Sequence, residues 1–552
     1  MLWNIDTIIE AKKQSKRLEE IKTVLLNTRG LIDEDDVVQF YNPPHPISIE
    51  VEDTGIDAKQ LKLAADRIRA AIKNGESMLI FGDYDADGIT ATALLWETIY
   101  KMRGKITPFI PDRLTHGYGL SEAGIVSALE TMEESPAIVI TVDNGIVAHE
   151  AADYLRDEGI ELILTDHHQL GKSLPVHNYL VHSTKIAGSA VAWFLARELS
   201  KDLAESTLEL AAIGTVADIM PMLGVNRSIV KHGLINLQQT QRPGLKALYK
   251  EAGIDEVEEF GTYHIGYIIG PRINAMGRLK SAMDSLRLLC TQKDERAESL
   301  TLLLNTTNTK RQDLTQEYID LAENQIGDIE NEKLIVVKHK DFHEGVVGLV
   351  AGKLAERYSK PAIVISIDEN DAKASARSVR GVNIIELIRR FDHHLINAGG
   401  HPLAAGFSME SSKIEEFVTD IQKYARENIE PELLVPSLEI ECQIALHDVD
   451  YDLLDLLEEF KPFGMKNSQP LFCIDGARVV DYRIVGRDKR HLKVVIQDEF
   501  GNKKHAIGFG LAAKAEVIEK DPVVSVAFEV VENLWNGKRL VQMQLKDVVS
   551  SI

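Results

Sequence analysis

Three aspartates at alternate positions lie in one short segment between two apolar runs. Asp83, Asp85 and Asp87 stand in GDYDADG, after SMLIF and before ITATALLW. Like charges this close repel one another, and folding does not favour them without compensation. The spacing therefore raises the question of which cation compensates these carboxylates, and what chemistry that cation serves.

Further acids and imidazoles follow other apolar runs. Asp143 follows AIVITV, the segment Asp166-His167-His168 follows ELILT, and Asp218 follows ELAAIGTVA. The clusters after SMLIF, AIVITV and ELILT lie at the C-terminal ends of predicted parallel strands. In open α/β sheets, ligands bind at the edge that these ends form. Carboxylate oxygens with one or two imidazoles suit Mn²⁺ or Mg²⁺ better than a thiolate-preferring metal. The set is large enough for two ions about 3.5–4 Å apart that share one bridging carboxylate.

Each of these groups has a simpler structural explanation when it is taken alone. An Asp after a strand is most often a helix cap or a turn residue, and Asp166 can orient His167 without touching a metal. One member of the triple could cap the helix that starts near Gly88, but three could not. His393 and His394 lie in a predicted amphipathic helix, where we expect them at the surface. The combination of clusters favours metal binding.

Alternating strand and helix patterns predict the scaffold that positions these residues. Between residues 56 and 230, the strand-like runs alternate with helical stretches, which predicts a parallel sheet with helices on both faces. Residues 231–330 are mostly helical and end in a long helix. The alternation resumes at 333–430 as a second, smaller α/β domain. Residues 437–552 carry short Val- and Ile-rich runs between turns, which predicts a closed β-barrel.

Bulk composition excludes several classes of protein. The chain has 552 residues and a formal net charge of −23, which argues against coating nucleic acid by bulk charge but allows a local basic groove. Its three cysteines follow no disulfide or zinc spacing. The N-terminus shows no signal-peptide pattern and the chain has no 18-residue apolar span, so we expect a soluble cytoplasmic protein.

The motifs GDYDADGIT, TVDNG, TDHH and GTVADIMP, in this order, resemble the four motifs of the DHH phosphoesterases. Their form is closest to the branch that degrades single-stranded DNA, and IGPRINAMGRLKSA, AKASARSVRGVNI and INAGGHPLAAGFSM extend the similarity. The resemblance implies a DHH catalytic domain, a long linking helix, a DHHA1 domain and an OB-fold barrel. The predicted boundaries are 1–55 for an N-terminal lead-in, 56–300 for DHH, 301–330 for the helix, 331–432 for DHHA1 and 433–552 for the barrel.

The resemblance also implies roles for individual residues. The implied metal ligands are Asp83, Asp85, Asp87, Asp143, His167 and Asp218, with Asp143 as the bridge. Asp143, His168 and Arg377 would be catalytic, with His168 and Arg377 at the phosphate. The nucleic acid would contact Arg272, Asn274, Arg278, Ser375, Arg377, Gly399, Gly400 and His401. Phe81 stands where small-substrate relatives carry a histidine, so we expect one metal site to have fewer ligands.

The barrel carries a basic stretch. From Arg478 to Lys504, eight Lys or Arg residues stand against four acids. Tyr482, Phe500 and Phe509 could stack on bases, as in other single-strand grooves. The alternative is a solvated face on an unrelated barrel.

The predicted function is that of a metal-dependent 5′→3′ exonuclease that hydrolyses single-stranded DNA to 5′-mononucleotides in repair and recombination. The resemblance supplies the polarity and the DNA preference, and it makes a single-strand-binding protein or a helicase the expected class of protein partner. Two alternatives stay open: a DHH phosphodiesterase acting on short oligoribonucleotides or cyclic dinucleotides, and a non-catalytic DHH replication scaffold. The barrel favours a long strand, and the intact set of carboxylates favours an enzyme.

Overall fold

The structure, a computed structural model, describes residues 2–10, 13–117, 119–327, 329, 331–535 and 538–551. The chain forms two compact units. One comprises Met1–Glu50, Ile219–Leu234 and Ser437–Ile552, and the other comprises Val51–Asp218 and Ile235–Pro436. The acidic residues and histidines of the four motifs and the GGH segment all lie in the second unit. The bounds of the five segments given above stay a prediction.

Seventeen strands are found in the described part of the chain. They are β1 (Leu2–Ile8), β2 (Ser77–Phe81), β3 (Lys105–Phe109), β4 (Ile138–Thr141), β5 (Glu161–Asp166), β6 (Tyr179–His182), β7 (Ile335–His339), β8 (Ala362–Ile367), β9 (Asp371–Arg377), β10 (Leu395–His401), β11 (Ala404–Glu410), β12 (Ser437–Gln443), β13 (Phe472–Val485), β14 (His491–Gln497), β15 (Lys503–Gly508), β16 (Val523–Trp535) and β17 (Lys538–Ser550).

Twenty α-helices accompany these strands in the same described ranges. They are α1 (Gln14–Thr28), α2 (Glu34–Tyr41), α3 (Ala58–Asn74), α4 (Ala86–Lys101), α5 (Arg113–His116), α6 (Glu122–Glu130), α7 (His149–Asp157), α8 (Gly188–Leu199), α9 (Lys201–Glu205), α10 (Leu208–Ala217), α11 (Gly224–Gln238), α12 (Pro243–Ala252), α13 (Gly270–Leu279), α14 (Met283–Cys290), α15 (Asp294–Gln325), α16 (Val347–Tyr358), α17 (Ile384–Arg389), α18 (Ile414–Asn428), α19 (Tyr451–Phe460) and α20 (Ala515–Lys520). None of the helices in these ranges is long and apolar enough to cross a membrane.

The acidic motifs lie at one edge of a five-stranded parallel sheet with the order β3-β2-β4-β5-β6. Apolar side chains of α6 and α7 cover one face of the sheet, and α3, α4 and α8 pack on the other side. The predicted parallel sheet with helices on both faces is therefore confirmed. Because β2, β4 and β5 are neighbours, the residues that follow them meet at the same edge.

The second sheet of this unit has the order β10-β11-β9-β8-β7 and is mostly antiparallel. The helix predicted across the tandem histidines is wrong beyond Arg389, where α17 ends. A 3₁₀ turn, Asp392–His394, follows and leads into β10. The expected surface position is also wrong for His394, which is 3% exposed. Its Nε2 lies 3.1 Å from Oδ2 of Asp420 on α18, and this pairing makes the burial of the imidazole possible.

The other unit is built around a closed barrel. Strands β13, β14, β15, β17 and β16 follow one another, and β16 pairs with β13 to close the ring, which confirms the predicted C-terminal barrel. Strand β12 pairs with both β13 and β1 in parallel, so the N-terminal segment adds a strand to this sheet. On α11, the buried guanidinium of Arg227 donates to the carbonyls of Phe40 and Phe460. Segments far apart in the chain therefore share one core.

Candidate active site

Two buried carboxylates form the centre of the acidic cluster. Asp83 follows β2 and Asp143 follows β4, and each has an Oδ1 with no hydrogen-bond partner. Burial raises the pKa of both groups well above the usual range, and the charges of neighbouring aspartates raise it further. An unsatisfied buried carboxylate oxygen is costly for a folded chain. A divalent cation would satisfy both oxygens at once.

The other two aspartates of the triple bind helix N-termini. Asp85 caps α4, where its Oδ1 accepts hydrogen bonds from the backbone N–H groups of Asp87 and Gly88 at 2.9 and 3.1 Å. Asp87 accepts from the N–H groups of Gly188 and Ser189 at the start of α8, at 2.7 and 3.0 Å. Helix N-termini favour negative charge, so they compensate part of the repulsion. Each carboxylate still has lone pairs left for a cation.

Asp143 has an unusual backbone conformation. Its φ is +63°, in the left-handed region that non-glycine residues seldom adopt. Gly188 packs directly against its side chain, because a Cβ built on Gly188 would lie 2.4 Å from Asp143 Oδ1. Strained residues persist where the surrounding structure holds them, and they cluster at functional sites.

His167 brings an imidazole into the middle of the carboxylates. Its Nε2 lies 3.1 Å from Asp143 Oδ1, without hydrogen-bond geometry, and 3.7 Å from Asp218 Oδ2. Burial lowers the pKa of His167, which keeps the ring neutral and able to bind a metal. Asp218 follows the last residue of α10, and its burial, with the charges of Asp87 and Asp85, raises its pKa to about 8.

Unlike His167, His168 is held in its protonated, positively charged form. Burial by itself lowers the pKa of His168, but the hydrogen bond and the charge of Asp166 outweigh that effect and raise it to about 9. Asp166 Oδ1 lies 2.7 Å from His168 Nδ1 and also accepts from the backbone N–H groups of His167 and His168. The carboxylate of Asp166 therefore orients the ring of His168, whereas we expected it to orient His167.

The six expected metal ligands fall into overlapping groups whose ligand atoms lie within 4.8 Å of one another. Asp83, Asp85 and Asp143 form one group. Asp87, His167 and Asp218 form another, and Asp143 also groups with His167 and His168. The membership of Asp143 in two groups is the placement that a bridging ligand needs. These donors, carboxylate oxygens with one or two imidazoles, fit Mn²⁺ or Mg²⁺.

Phe81, at the position where small-substrate relatives carry a histidine, is fully buried. Its ring packs against Phe109, with centroids 5.5 Å apart, and against Gly124. The position contributes to the core of the sheet rather than to the set of polar ligands.

A group of arginines lies beside the carboxylates. Burial, together with the nearby charges of Arg113, Arg311 and Arg377, lowers the pKa of Arg278 to about 10. The Nη1 of Arg278 donates to the carbonyl of Gly345 at 3.1 Å, and that of Arg377 donates to Ser375 Oγ at 3.1 Å. Cations that crowd together and bind neutral oxygens form a site for an anion such as a phosphate.

The GGH segment joins this arginine group through the second sheet. Gly399 on β10 pairs with Gly406 on β11, which in turn pairs with Ser375 on β9. In the same way, His401 and Arg377 both pair with Ala404. The expected strand-binding residues of the DHHA1 region therefore lie in adjacent rows of one sheet.

Two further predicted contacts make structural hydrogen bonds. Asn274 Oδ1 accepts from the backbone N–H of Ala86 at 2.7 Å, which ties α13 to the start of α4. Arg272 donates from Nη1 to the carbonyl of Ile268 at 2.9 Å and from Nε to Asn305 Oδ1 at 3.2 Å.

Sequence reasoning missed three residues of this site. Arg113 lies within the stretch PDRLTHG, whose match to the family was the available signal. Arg311 carried no signal, because it is one of several charged residues in a long helix. Its Nε is buried and has no partner. Gly188 could have been found only from its close approach to Asp143.

Three family models match the chain in order. A model of the DHH family, N-terminal domain, matches residues 77–215, a DHHA1 domain model matches 331–427, and a RecJ OB domain model matches 440–547. The single-stranded-DNA-specific exonuclease RecJ of Thermus thermophilus is 32% identical over 500 residues, which cover 89% of this chain and 71% of that protein.

The chain belongs to the RecJ family. The RecJ of Bacillus subtilis is 35% identical over 510 residues, which cover 90% of this chain and 64% of that protein. The chain thus spans less than two thirds of the length of that relative.

Solved RecJ structures share the architecture. The crystal structure of Thermus thermophilus RecJ in complex with Mn²⁺ superposes with a TM-score of 0.84 at 27% identity and covers 100% of this chain and 80% of that one. The same protein in complex with Mg²⁺ gives a TM-score of 0.79 at 26% identity, with 100% and 79% coverage. The order of a DHH domain, a DHHA1 domain and an OB barrel is therefore shown for this chain.

Proposed function

We propose that this RecJ-family chain is a metal-dependent 5′→3′ exonuclease that hydrolyses single-stranded DNA to 5′-mononucleotides. One observation carries the proposal: the partnerless carboxylate oxygens of Asp83 and Asp143 lie in the same unit as a crowded group of arginines. The carboxylates can bind metal cations, and the arginines can bind an anion. A phosphodiester, which is an anion that also binds metal cations, fits both groups. The relatives supply the substrate class by name, and their structures hold Mn²⁺ or Mg²⁺.

The chain would hold two divalent cations. Asp83, Asp85 and Asp143 would hold one, and Asp143, Asp87, His167 and Asp218 would hold the other, with Asp143 shared. When bound, such ions neutralise charge that develops at the phosphate and make water a stronger nucleophile. His167 serves as a ligand because burial keeps its ring neutral.

The remaining residues would bind and orient the phosphate. His168, kept protonated by Asp166, donates a hydrogen bond to a phosphate oxygen. Arg377 supplies planar donors that Ser375 orients, and Arg278 adds a second guanidinium. Fixed charges of this kind stabilise the transition state without reorganisation during the reaction.

A longer strand would also use the barrel. Phe500 and Phe509, 75% and 56% exposed, offer rings for base stacking, and the ring of Tyr482 is 36% exposed. Single-stranded DNA is thus the proposed partner. A single-strand-binding protein or a helicase is a further proposal, as are a role in repair and recombination and a cytoplasmic location.

End-labelled strands test the function. A 40-mer single-stranded DNA, labelled at the 5′ or the 3′ end, is incubated with Mn²⁺ or Mg²⁺ and sampled over time. We expect the 5′ label to appear at once as a mononucleotide and the 3′ label to remain on a shortening ladder. A duplex 40-mer and a 5-mer RNA are the matched substrates.

Three outcomes contradict the proposal in different ways. Immediate release of the 3′ label reverses the polarity. Faster turnover of the 5-mer RNA supports the alternative of an oligoribonuclease. The absence of hydrolysis with either metal supports the non-catalytic scaffold.

A further inference from the structure

Two tyrosines on the surface of the catalytic unit form an exposed aromatic pair. Tyr263 and Tyr267 are 61% and 73% exposed, and their rings stack with centroids 5.1 Å apart and planes at 24°. Between them in sequence, Ile265 is fully buried, and Ile269 anchors the next turn. The segment therefore buries its isoleucines Ile265 and Ile269 and exposes two large rings to water. The exposure of these rings does not stabilise the fold.

The backbone that carries the pair is irregular. His264–Ile269 is a π-helical segment that runs without a break into α13. Such segments are rare, and they occur mostly at functional sites, where they change the direction of side chains.

The pair lies close to the metal ligands. Gly270, one turn after Tyr267, packs against the last turn of α10, since a Cβ on Gly270 would lie 3.7 Å from the Cβ of Ala217. Asp218 is the residue that follows Ala217. The backbone of Tyr267 therefore lies about one helical turn from the contact with α10, the helix that leads to the proposed ligand Asp218.

An arginine lies beside the segment that carries the rings. Arg272 folds back so that its Nη1 donates to the carbonyl of Ile268, the residue after Tyr267. Burial lowers the pKa of both Arg272 and Arg311, and the charge of Arg272 lowers that of Arg311 further. The guanidinium of Arg272, whose hydrogen bonds go to a carbonyl oxygen and an amide oxygen, thus lies against the segment that carries the aromatic pair. Stacking rings beside a guanidinium are the combination with which proteins bind single strands.

We propose that Tyr263 and Tyr267 form a base-stacking platform for the nucleic-acid strand that leads to the metal site. The inference rests on the proposed function for the identity of the strand. The rings stack on one or two unpaired bases, and Arg272 contacts the adjacent phosphate. Because every base has an aromatic face, the platform holds the strand without regard to its sequence.

Binding of a labelled 20-mer single-stranded DNA tests the platform. Affinity is measured by fluorescence anisotropy with Ca²⁺ in place of Mn²⁺, which keeps the strand intact. The double variant Tyr263→Ala/Tyr267→Ala should bind about tenfold more weakly, as expected for the loss of about one base stack. The double Phe variant, which keeps both rings, should bind within about twofold of the wild type.

Tyr100→Ala is the matched control. Tyr100 is 59% exposed and stacks on Trp96 in the same unit, with centroids 5.1 Å apart. It lies near the opposite end of α4 from the acidic motif, about 21 Å along the helix from Ala86. Its removal deletes an exposed, stacked tyrosine and should leave the affinity unchanged.

A strand with abasic positions separates stacking from other causes. If the rings stack on bases, the wild type loses affinity for an abasic 20-mer and the difference from the Ala variant disappears. An unchanged affinity of the Ala variant for the normal strand overturns the inference, as does a loss that persists in full on the abasic strand.

The experiment also separates this inference from the proposed function. Release of mononucleotides by the wild type in Mn²⁺, with no effect of the tyrosines on binding, removes the platform and leaves the exonuclease. Tyrosine-dependent binding without any hydrolysis supports the platform and removes the exonuclease.

Discussion

At the scale of single residues, Asp143 unites strain, burial and an unsatisfied oxygen. Its left-handed φ, its buried side chain and its partnerless Oδ1 are all costs to the folded chain. A bound cation would offset these costs. Replacement of Asp143 should therefore lower the hydrolytic activity and should not lower the stability of the metal-free protein.

Asp143→Asn tests this prediction. Asn tolerates the left-handed conformation and removes one negative charge from the cluster. Loss of the proposed bridging ligand should lower Mn²⁺-dependent hydrolysis by more than about 100-fold, since even outer partners of metal ligands are worth about 10–100-fold. In EDTA, the melting temperature of the variant should equal or exceed that of the wild type. A clear fall of that temperature would contradict the assignment.

Gly188→Ala perturbs the same carboxylate from outside. The added Cβ would lie 2.4 Å from Asp143 Oδ1 and 2.6 Å from its Cβ, so the side chain must move. We expect activity to fall by about 10–100-fold, with weaker binding of Mn²⁺. Gly261→Ala is the control, because a Cβ on Gly261 meets nothing within 4 Å. Equal activity of the two variants would contradict the role of Gly188.

The acidic residues of the site were predictable, while one of its cations was not. Three carboxylates at alternate positions are a local anomaly that sequence alone displays. Arg311 looks like its neighbour Lys310 in a charged helix. Only the packing of α15 near α13 brings it towards Arg272 and Arg278. The local sequence pattern shows the crowded aspartates, and only the tertiary structure shows which arginines lie near them.

At the scale of elements, strands with continuous apolar runs were the easiest to predict. SMLIF forms β2 from its first residue to its last, because a strand covered on both faces is apolar throughout. Strand β10, LINAGGH, contains two glycines and lies exposed along most of its length, so it carries no such pattern. Strand β1 gains its partner, β12, from more than 400 residues away, and no local signal reports that pairing.

On helix α11, the buried Arg227 holds several segments of the barrel unit together. Arg227 is buried without a carboxylate partner in its hydrogen bonds, and it donates to the carbonyls of Phe40, Phe460 and Lys461. Its guanidinium also lies 3.9 Å from the centroid of the Phe40 ring. Arg227→Leu leaves these carbonyls unsatisfied and should destabilise the barrel unit by about 3 kcal/mol or more.

Chemical denaturation measures that loss. Lys231→Leu is a matched control on the same helix, because Lys231 is less enclosed and donates to one carbonyl, that of Tyr41. We expect the control to cost clearly less than Arg227→Leu. Equal costs would show that the guanidinium has no special role.

At the scale of the whole molecule, the acidic site makes stability depend on pH. Burial raises the pKa of Asp218 to about 8. The pairing with Asp166 raises that of His168 to about 9 against the effect of burial. Both groups hold protons more tightly in the folded state than in the unfolded state. Stability from such groups is present at low pH and is lost as the pH rises through the folded pKa values.

The melting temperature of the metal-free protein should therefore fall between pH 7 and pH 9. With Mn²⁺ in excess the fall should be smaller, because bound cations offset the repulsion between ionised carboxylates. Thermal unfolding in EDTA and in Mn²⁺ across this range measures both effects. A metal-free protein that gains stability with rising pH would contradict the assigned shifts.

The barrel unit is assembled from Met1–Glu50, Ile219–Leu234 and Ser437–Ile552. A ribosome makes these pieces in that order, so the first strand and the helix segment with Arg227 leave the exit tunnel long before β12 and β13 exist. During synthesis of the intervening residues, apolar groups such as Ile21, Leu25 and Phe40 have no finished core to enter. The nascent chain therefore exposes these apolar groups, and it needs protection by chaperones until the strands of the barrel have been made.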